Sequence, residues 1–217
     1  MMATSEPPVK FDLKSVHDGF SSSLLENDDV DMNFYLTAYK ELYKFCNLLG
    51  TIFGFVGSDI KAKIDILESL VSEDAQSGNF STFKAMVEYE KQSDLIKKSD
   101  YVSGCRTLLR LHRGLDFIRL FLKRVGELEA KDKTSIVGQE AYNETLAQFH
   151  PWLIRKGVVV SLYSLPTKEN LMLKVCSNNL EDIQTTLDVL PKMLLVTAEV
   201  YNRTQAIFEE HSLLDLP

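Results

Sequence analysis

Apolar residues recur three and four apart along nearly the whole chain, and that period leaves the α-helix as almost the sole building unit. The segment from Ser103 to about Val125 shows it most strongly, with Leu108, Leu111, Leu115, Ile118 and Leu122 on one face. The same spacing predicts helices over Phe11 to Leu25, Phe34 to Phe55 and Ser58 to Val71, and one capped by Ser81 that runs through Ile96. An acidic run, Glu26-Asn27-Asp28-Asp29, and a loop at Ser77-Gly78-Asn79 separate them. A charged connector, Glu127 to Thr134, precedes a helix through Phe149. Pro151 then pushes His150 away from the α region and suits the first turn of a new helix. Helical runs over Thr167 to Cys176 and Leu180 to Glu210 complete the chain. Val158-Val159-Val160 alone has strand character; without a second run to pair with, it reads as helix too. The expectation is an all-α fold of about eight helices. No Pro/Gly/Ser-rich linker and no solenoid repeat divides it, so residues 11–217 read as one domain behind a flexible segment, 1–10.

Charge bounds the partners only loosely. The 217 residues are 45% apolar, enough for a sizeable core, and 24 Lys+Arg stand against 31 Asp+Glu. A net charge of −7 argues against a general nucleic-acid binder, which usually carries a basic surplus. With 10 Gly and 6 Pro, collagen-like and low-complexity readings also fail. Yet the stretch from Lys97 to Arg124 is +6 on its own, so the rest of the chain sums to −13.

Compartment follows from similar arithmetic. Met1 to Lys10 contains no apolar run of the kind a secretory signal needs. The longest uncharged stretch, Phe45 to Ser58, is 14 residues, short of the roughly 20 that span a bilayer. Cys46, Cys105 and Cys176 are odd in number and widely spaced, which fits neither a disulfide framework nor a zinc site. The sequons at Asn79, Asn143 and Asn202 therefore read as chance matches. A cytosolic protein is expected.

Six groups of residues are candidates for chemistry. Gly50, Gly54 and Gly57 follow a helical run, not a strand, and lack a Gly-Lys-Ser/Thr, so they read as close packing or a kink before Asp59. Cys105 precedes Arg106, which could lower a thiol's pKa, although most lone cysteines are simply packed. His17, His112, His150 and His211 show no metal-ligand spacing, and no metal is expected. Asp59 and Lys63 share one helix face with Ile66 and Leu70 beyond them; the bland account is an exposed ion pair worth ~0.3–0.5 kcal/mol. Arg106, Arg110 and Arg113, at i, i+4 and i+7, line one face of the strongest helix. They form either a solvated basic surface or an anion site of forked guanidinium donors, with Phe117, Leu120 and Phe121 continuing the same side. Trp152, the single tryptophan, with Arg155 and Lys156 one turn on, has the composition of a membrane-surface anchor.

Taken in order, Gly54-Phe55-Val56-Gly57-Ser58-Asp59-Ile60-Lys61-Ala62-Lys63, Gly104-Cys105-Arg106-Thr107-Leu108-Leu109-Arg110-Leu111-His112-Arg113, and Ala141-Tyr142-Asn143 through His150-Pro151-Trp152 resemble the glycolipid-transfer-protein superfamily. So does the closing His211-Ser212-Leu213-Leu214-Asp215-Leu216-Pro217, and the likeness runs from about Phe11 to Pro217. It implies a two-layer helical sandwich that holds one lipid between its layers. Glycolipid-binding members place an Asp, an Asn four residues on, a Lys seven on, a sugar-stacking Trp and a later His. Here the Asp is Asp59 and the His is His150, but the Asn, Lys and Trp positions hold Lys63, Ile66 and Arg110. Those departures remove the sugar platform and install positive charge.

The resemblance thus implies a phosphosphingolipid, one ceramide-1-phosphate per protein. Lys63, Arg106 and Arg110 would neutralise its phosphate, which carries about −1.5 to −2 near neutral pH. Asp59 would accept from the lipid amide N–H and His150 would donate to its carbonyl, with Arg113 supporting the arginine row. Tails need a dry tunnel, because each exposed CH₂ costs about 0.8 kcal/mol. The implied carrier is a monomer without cofactor or catalytic residue. It would dock reversibly through Trp152, Arg155, Lys156, Lys97 and Lys98 on the cytosolic face of the Golgi network, endosomes and plasma membrane. Other readings stay open: a lipid-holding sensor, a glycosphingolipid carrier, a lipid phosphatase using Cys105, and a helical adaptor.

Overall fold

Side-chain caps set where most of the helices begin. In the computed structural model, which describes residues 11–50 and 53–217, the Asp12, Asp31, Thr82, Ser103 and Asn179 side chains each accept from a backbone N–H two or three residues on. The helices are α1 (Leu13–Ser23), α2 (Met32–Leu48), α3 (Gly54–Glu73), α4 (Phe83–Gln92), α5 (Gly104–Glu127), α6 (Thr134–Glu144), α7 (Trp152–Tyr163), α8 (Lys168–Val175) and α9 (Leu180–Glu210). Nine helices stand where about eight were expected, and no strand forms among the described residues; Val158–Val160 lies inside α7. The segment 1–10, expected to be flexible, lies outside the described residues.

Boundaries differ from expectation where turns intervene. The predicted helix from Phe34 to Phe55 starts earlier, at Met32, and ends at Leu48. Gly50, at φ +120°, takes a conformation that a Cβ disfavours and leads the chain off the helical path. α3 starts at Gly54, before the predicted Ser58, and Gly57 packs against Tyr43 and Asn47 of α2. Ser81 is not the cap of α4: its hydroxyl bonds the Gly78 carbonyl at 2.6 Å, and Thr82 takes the capping role. α4 stops at Gln92 rather than Ile96, because Asp94 adopts φ +52°. The Asp94 and Leu95 N–H groups then bond the Lys91 and Glu90 carbonyls at 3.1 and 2.9 Å, closing the helix end. α6 likewise stops at Glu144, a 3₁₀ turn covers Ala147–Phe149, and His150 is extended (φ −106°, ψ 134°), as Pro151 requires.

α5 organises the packing. It contacts α3, α4, α6 and α9, while α1 packs on α2 and α9. The buried residues form one hydrophobic cluster, with Phe20, Tyr35, Tyr39 and Phe83 among its largest members. Tyr35 stacks obliquely on Tyr39 (4.9 Å between centroids) and meets Phe83 edge-on at 4.8 Å. The Tyr39 hydroxyl donates to the Leu111 carbonyl, tying α2 to α5. At its far end α9 closes with Ser212 at φ +56°, and the Leu213 N–H bonds the Phe208 carbonyl at 2.8 Å. That turn buries Leu213 and sends residues 214–217 back across α5.

Candidate functional site

The Asp59–Lys63 pair is not an ordinary surface pair. The two charged groups hydrogen-bond along α3, yet the Lys63 side chain is only 12% exposed while that of Asp59 is 67% exposed. The lysine side chain thus lies at the edge of the core, with its carboxylate partner facing out. His150 enters the same neighbourhood from the turn before α7. Burial pulls the His150 pKa below the usual histidine value, the Asp59 charge raises it and the Lys63 charge lowers it further. Its Nδ1 lies 2.9 Å from the Tyr142 hydroxyl. The structure therefore brings Asp59 and Lys63 of α3 and His150 of the turn before α7 within electrostatic reach of one another, from two stretches distant in sequence.

The arginine row is more occupied than its periodicity suggested. Arg106 is half-buried and donates to the Ile96, Lys98 and Tyr101 carbonyls, the first two at 3.0 and 3.2 Å. Arg110 is exposed and donates to the Pro217 carbonyl at 3.3 Å. Arg113 donates to the Leu214 and Leu216 carbonyls at 2.7 and 3.2 Å, and its guanidinium lies 4.1 Å from the Phe149 ring centroid. Burial and the nearby Arg110 charge lower the Arg113 pKa. So the row is no freely solvated face: it clasps the 96–101 loop and the C-terminal segment. Counted among the described residues, five donors per guanidinium leave Nε–H and one terminal N–H of Arg106 uncommitted, and four N–H groups of Arg110.

Two residues that sequence reasoning passed over set up this geometry. Glu90 is fully buried and accepts from the Tyr101 hydroxyl (3.0 Å), the Ser103 hydroxyl (2.5 Å), and the Gly104 and Cys105 N–H groups (2.6 and 3.1 Å). A carboxylate at the first turn of α5 satisfies donors that the helix itself leaves free. The available signal was a glutamate on the apolar stripe Phe83, Met86, Val87. Tyr142 is the other; it lay inside a quoted stretch with no role attached. The same Glu90 tells against an activated thiol: Cys105 is buried, and burial first, then the Glu90 charge, raises its pKa, the reverse of activation by Arg106. No group of three or more His, Cys, Asp and Glu side chains able to hold a metal occurs among the described residues.

Residues Pro151 to Gly157 are all exposed. Trp152 is 65% and Leu153 71% exposed, Ile154 follows, and the Lys156 ammonium lies 5.7 Å from the Trp152 ring centroid. Arg155 is exposed beside them, whereas Lys97 and Lys98 stand on the 93–103 loop, Lys97 at 3.4 Å from Asp94. No described helix is long and apolar enough to cross a membrane.

The sequence model of the glycolipid transfer protein family matches residues 30–177. The chain belongs to that family. Curated relatives in it include the ceramide-1-phosphate transfer protein of Danio rerio, 41% identical over 95% of this chain and 98% of its own length, and that of Homo sapiens, 37% identical over 95% and 97%. The chain also matches the crystal structure of the apo mouse ceramide-1-phosphate transfer protein, with TM-score 0.88 and 36% identity over 96% of this chain and all of that one. The human protein in complex with 12:0 ceramide-1-phosphate matches at TM-score 0.85 and 36% identity, over 95% of this chain and all of that one. The helices described above are therefore the family's two-layer sandwich.

Proposed function

We propose that this chain is a non-enzymatic carrier that transfers ceramide-1-phosphate between membranes, one lipid at a time. The observation that carries the reading is the pairing of a tucked Lys63 with an outward Asp59 beside His150. An amide needs one acceptor for its N–H and one donor for its carbonyl, and Asp59 and His150 are those two groups. Lys63 and the uncommitted donors of Arg106 and Arg110 take the phosphate, as a point charge and as forks respectively. Arg113 supports the row by fixing the segment that crosses it. A neutral sugar gains nothing from this charge and finds no aromatic platform at Arg110.

Transfer needs no covalent step, metal or nucleotide. The exposed Trp152, Leu153 and Ile154 enter the headgroup region of a cytosolic leaflet, with Arg155, Lys156, Lys97 and Lys98 on anionic headgroups. As a monomer the carrier leaves with its lipid and visits the Golgi network, endosomes and plasma membrane reversibly. A vesicle-to-vesicle assay with fluorescent lipids tests this. Ceramide-1-phosphate is expected to move much faster than galactosylceramide; equal or faster movement of galactosylceramide would overturn the headgroup assignment.

A further inference from the structure

The contact between Tyr142 and His150 determines more than a ring position. Tyr142 is buried on α6, its ring edge-on to Phe117 of α5 (6.3 Å, 86°), and its hydroxyl has one hydrogen-bond partner among the described residues, His150 Nδ1 at 2.9 Å. A hydroxyl has one proton to give. Were Nδ1–H the donor, the phenolic proton would be left without an acceptor in a buried place, a costly arrangement. The alternative satisfies both groups: the phenol donates, Nδ1 accepts, and the imidazole proton resides on Nε2.

We propose that Tyr142 is a positioning residue that locks neutral His150 as its Nε2–H tautomer, so that the ring can present only a donor to the lipid's amide carbonyl. The inference rests on the carrier reading above and deepens it. In the opposite tautomer the Nε2 lone pair would face the carbonyl oxygen and repel it. Paired with Asp59, which only accepts when ionised, the fixed donor gives the site a polarity that matches an amide: acceptor toward N–H, donor toward C=O. An ester linkage, lacking the N–H, would leave Asp59 without its partner, so the lock contributes to choosing sphingolipids over glycerolipids.

The test is the pH dependence of a ratio. The charged groups facing this pair are Asp59 and Lys63 of α3, which act on His150, and Arg155 of α7, which acts on Tyr142; Arg113 of α5 reaches the ring of the preceding Phe149. Tyr142→Phe keeps the ring and removes only the hydroxyl. At about pH 7.5 the variant is expected to bind short-chain ceramide-1-phosphate about five- to tenfold more weakly than the parent. Below the pH at which His150 itself protonates, followed in the parent by nitrogen-15 spectra, an imidazolium carries N–H on both nitrogens whatever its neighbour does, so the ratio of affinities is expected to shrink to within about twofold. Changes in phosphate ionisation affect both proteins and cancel in the ratio. A merely structural role for Tyr142 would hold the ratio constant with pH, and that result would overturn the proposal.

Nitrogen-15 spectra of the unliganded parent give a second readout that needs no variant to fold. They are expected to show His150 Nδ1 unprotonated and Nε2 protonated at neutral pH, with His150→Gln assigning the signals. A protonated Nδ1 in that spectrum would also sink the proposal. His150→Ala separates the two levels. Unchanged affinity in that variant means His150 does not hold the lipid, and the carrier site itself is then misassigned. Weakened binding there together with a pH-constant Tyr142→Phe ratio leaves the site standing and removes only the lock.

Discussion

Glu90 and Arg106 grip the same loop with opposite charges, and Tyr101 serves both. Its hydroxyl donates to the Glu90 carboxylate at 3.0 Å, while its carbonyl accepts from the Arg106 guanidinium. Their hydrogen bonds meet at the loop, which is the shared partner. Because Glu90 also receives the first N–H groups of α5, the helix start, the loop and the proposed phosphate ligand Arg106 are fixed together. Glu90→Gln should therefore destabilise the protein by about 1.5–3 kcal/mol, the usual worth of hydrogen bonds to a charged group. Equilibrium unfolding in urea measures it, and an unchanged midpoint would show that the Glu90 carboxyl group contributes nothing to stability in this place.

Arg106 has two duties on this structure, and its substitution should show both. Arg106→Leu removes three bonds to loop carbonyls as well as a forked cation, so loss of ceramide-1-phosphate transfer should come with a stability loss of about 1–2 kcal/mol. The family resemblance implied only a phosphate contact for Arg106. Calorimetry beside the transfer assay separates these: lost transfer at an unaltered Tm would mean that the loop carbonyls find other partners.

The remaining arginines should divide differently. Arg113 holds two carbonyls and stacks on Phe149, whereas exposed Arg110 makes one longer bond to Pro217. Arg113→Ala is expected to cost about 1–2 kcal/mol and to open residues 212–217 to proteolysis. Arg110→Ala should stay within about 0.5 kcal/mol of the parent in stability while weakening phosphate binding and flattening its salt dependence. The reverse pattern in a paired measurement would reassign the two roles.

These cases show what was legible in the sequence and what was not. Helix existence followed from apolar spacing, since burial of one face is what a 3.6-residue period encodes; α5 and α9 were read nearly to their ends. Boundaries failed at Gly50, Asp94 and Glu144, where left-handed turns or a 3₁₀ segment end the helix and where the deciding contacts are local backbone bonds. The Asp59–Lys63 pair followed from i, i+4 spacing on one helix, but His150 beside it was reachable only through the family resemblance, because no periodicity relates positions on different elements. Glu90 and Tyr142 were missed for the same reason. A buried carboxylate reads as a surface one until its four donors are assembled, and a tyrosine's partner eight residues away across a 3₁₀ turn has no fixed spacing.

Stability should also fall with acid, and the sign follows from the histidines. Burial lowers the pKa of His112, stacked 4.3 Å from Tyr201 with its Nε2 2.8 Å from Gln205, and also that of His150. A group with a depressed folded pKa binds more protons when unfolded, so stability is full above the unfolded value, about 6.5, and declines as pH falls through it toward the folded one. Urea midpoints should therefore drop between about pH 7.5 and pH 5. His112→Gln should flatten that slope while costing some stability at neutral pH. A midpoint that rises on acidification would contradict the assignment of His112 as a buried neutral ring.

Membrane docking should separate cleanly from folding at Trp152. With 65% of its surface exposed and its ring 5.7 Å from the Lys156 ammonium, Trp152 packs little against the core. Trp152→Ala should leave unfolding free energy within about 0.5 kcal/mol, as surface substitutions do. In a bilayer interface the same indole would bury apolar area and place its N–H among headgroups, so its removal should weaken vesicle binding and slow transfer together. Because lipid held in solution does not depend on docking, binding of short-chain ceramide-1-phosphate should be unaffected. Sedimentation with anionic vesicles, transfer kinetics and soluble-lipid binding measured on one preparation decide the matter. If all three fell in parallel, Trp152 would belong to the lipid site or the fold and not to the docking surface.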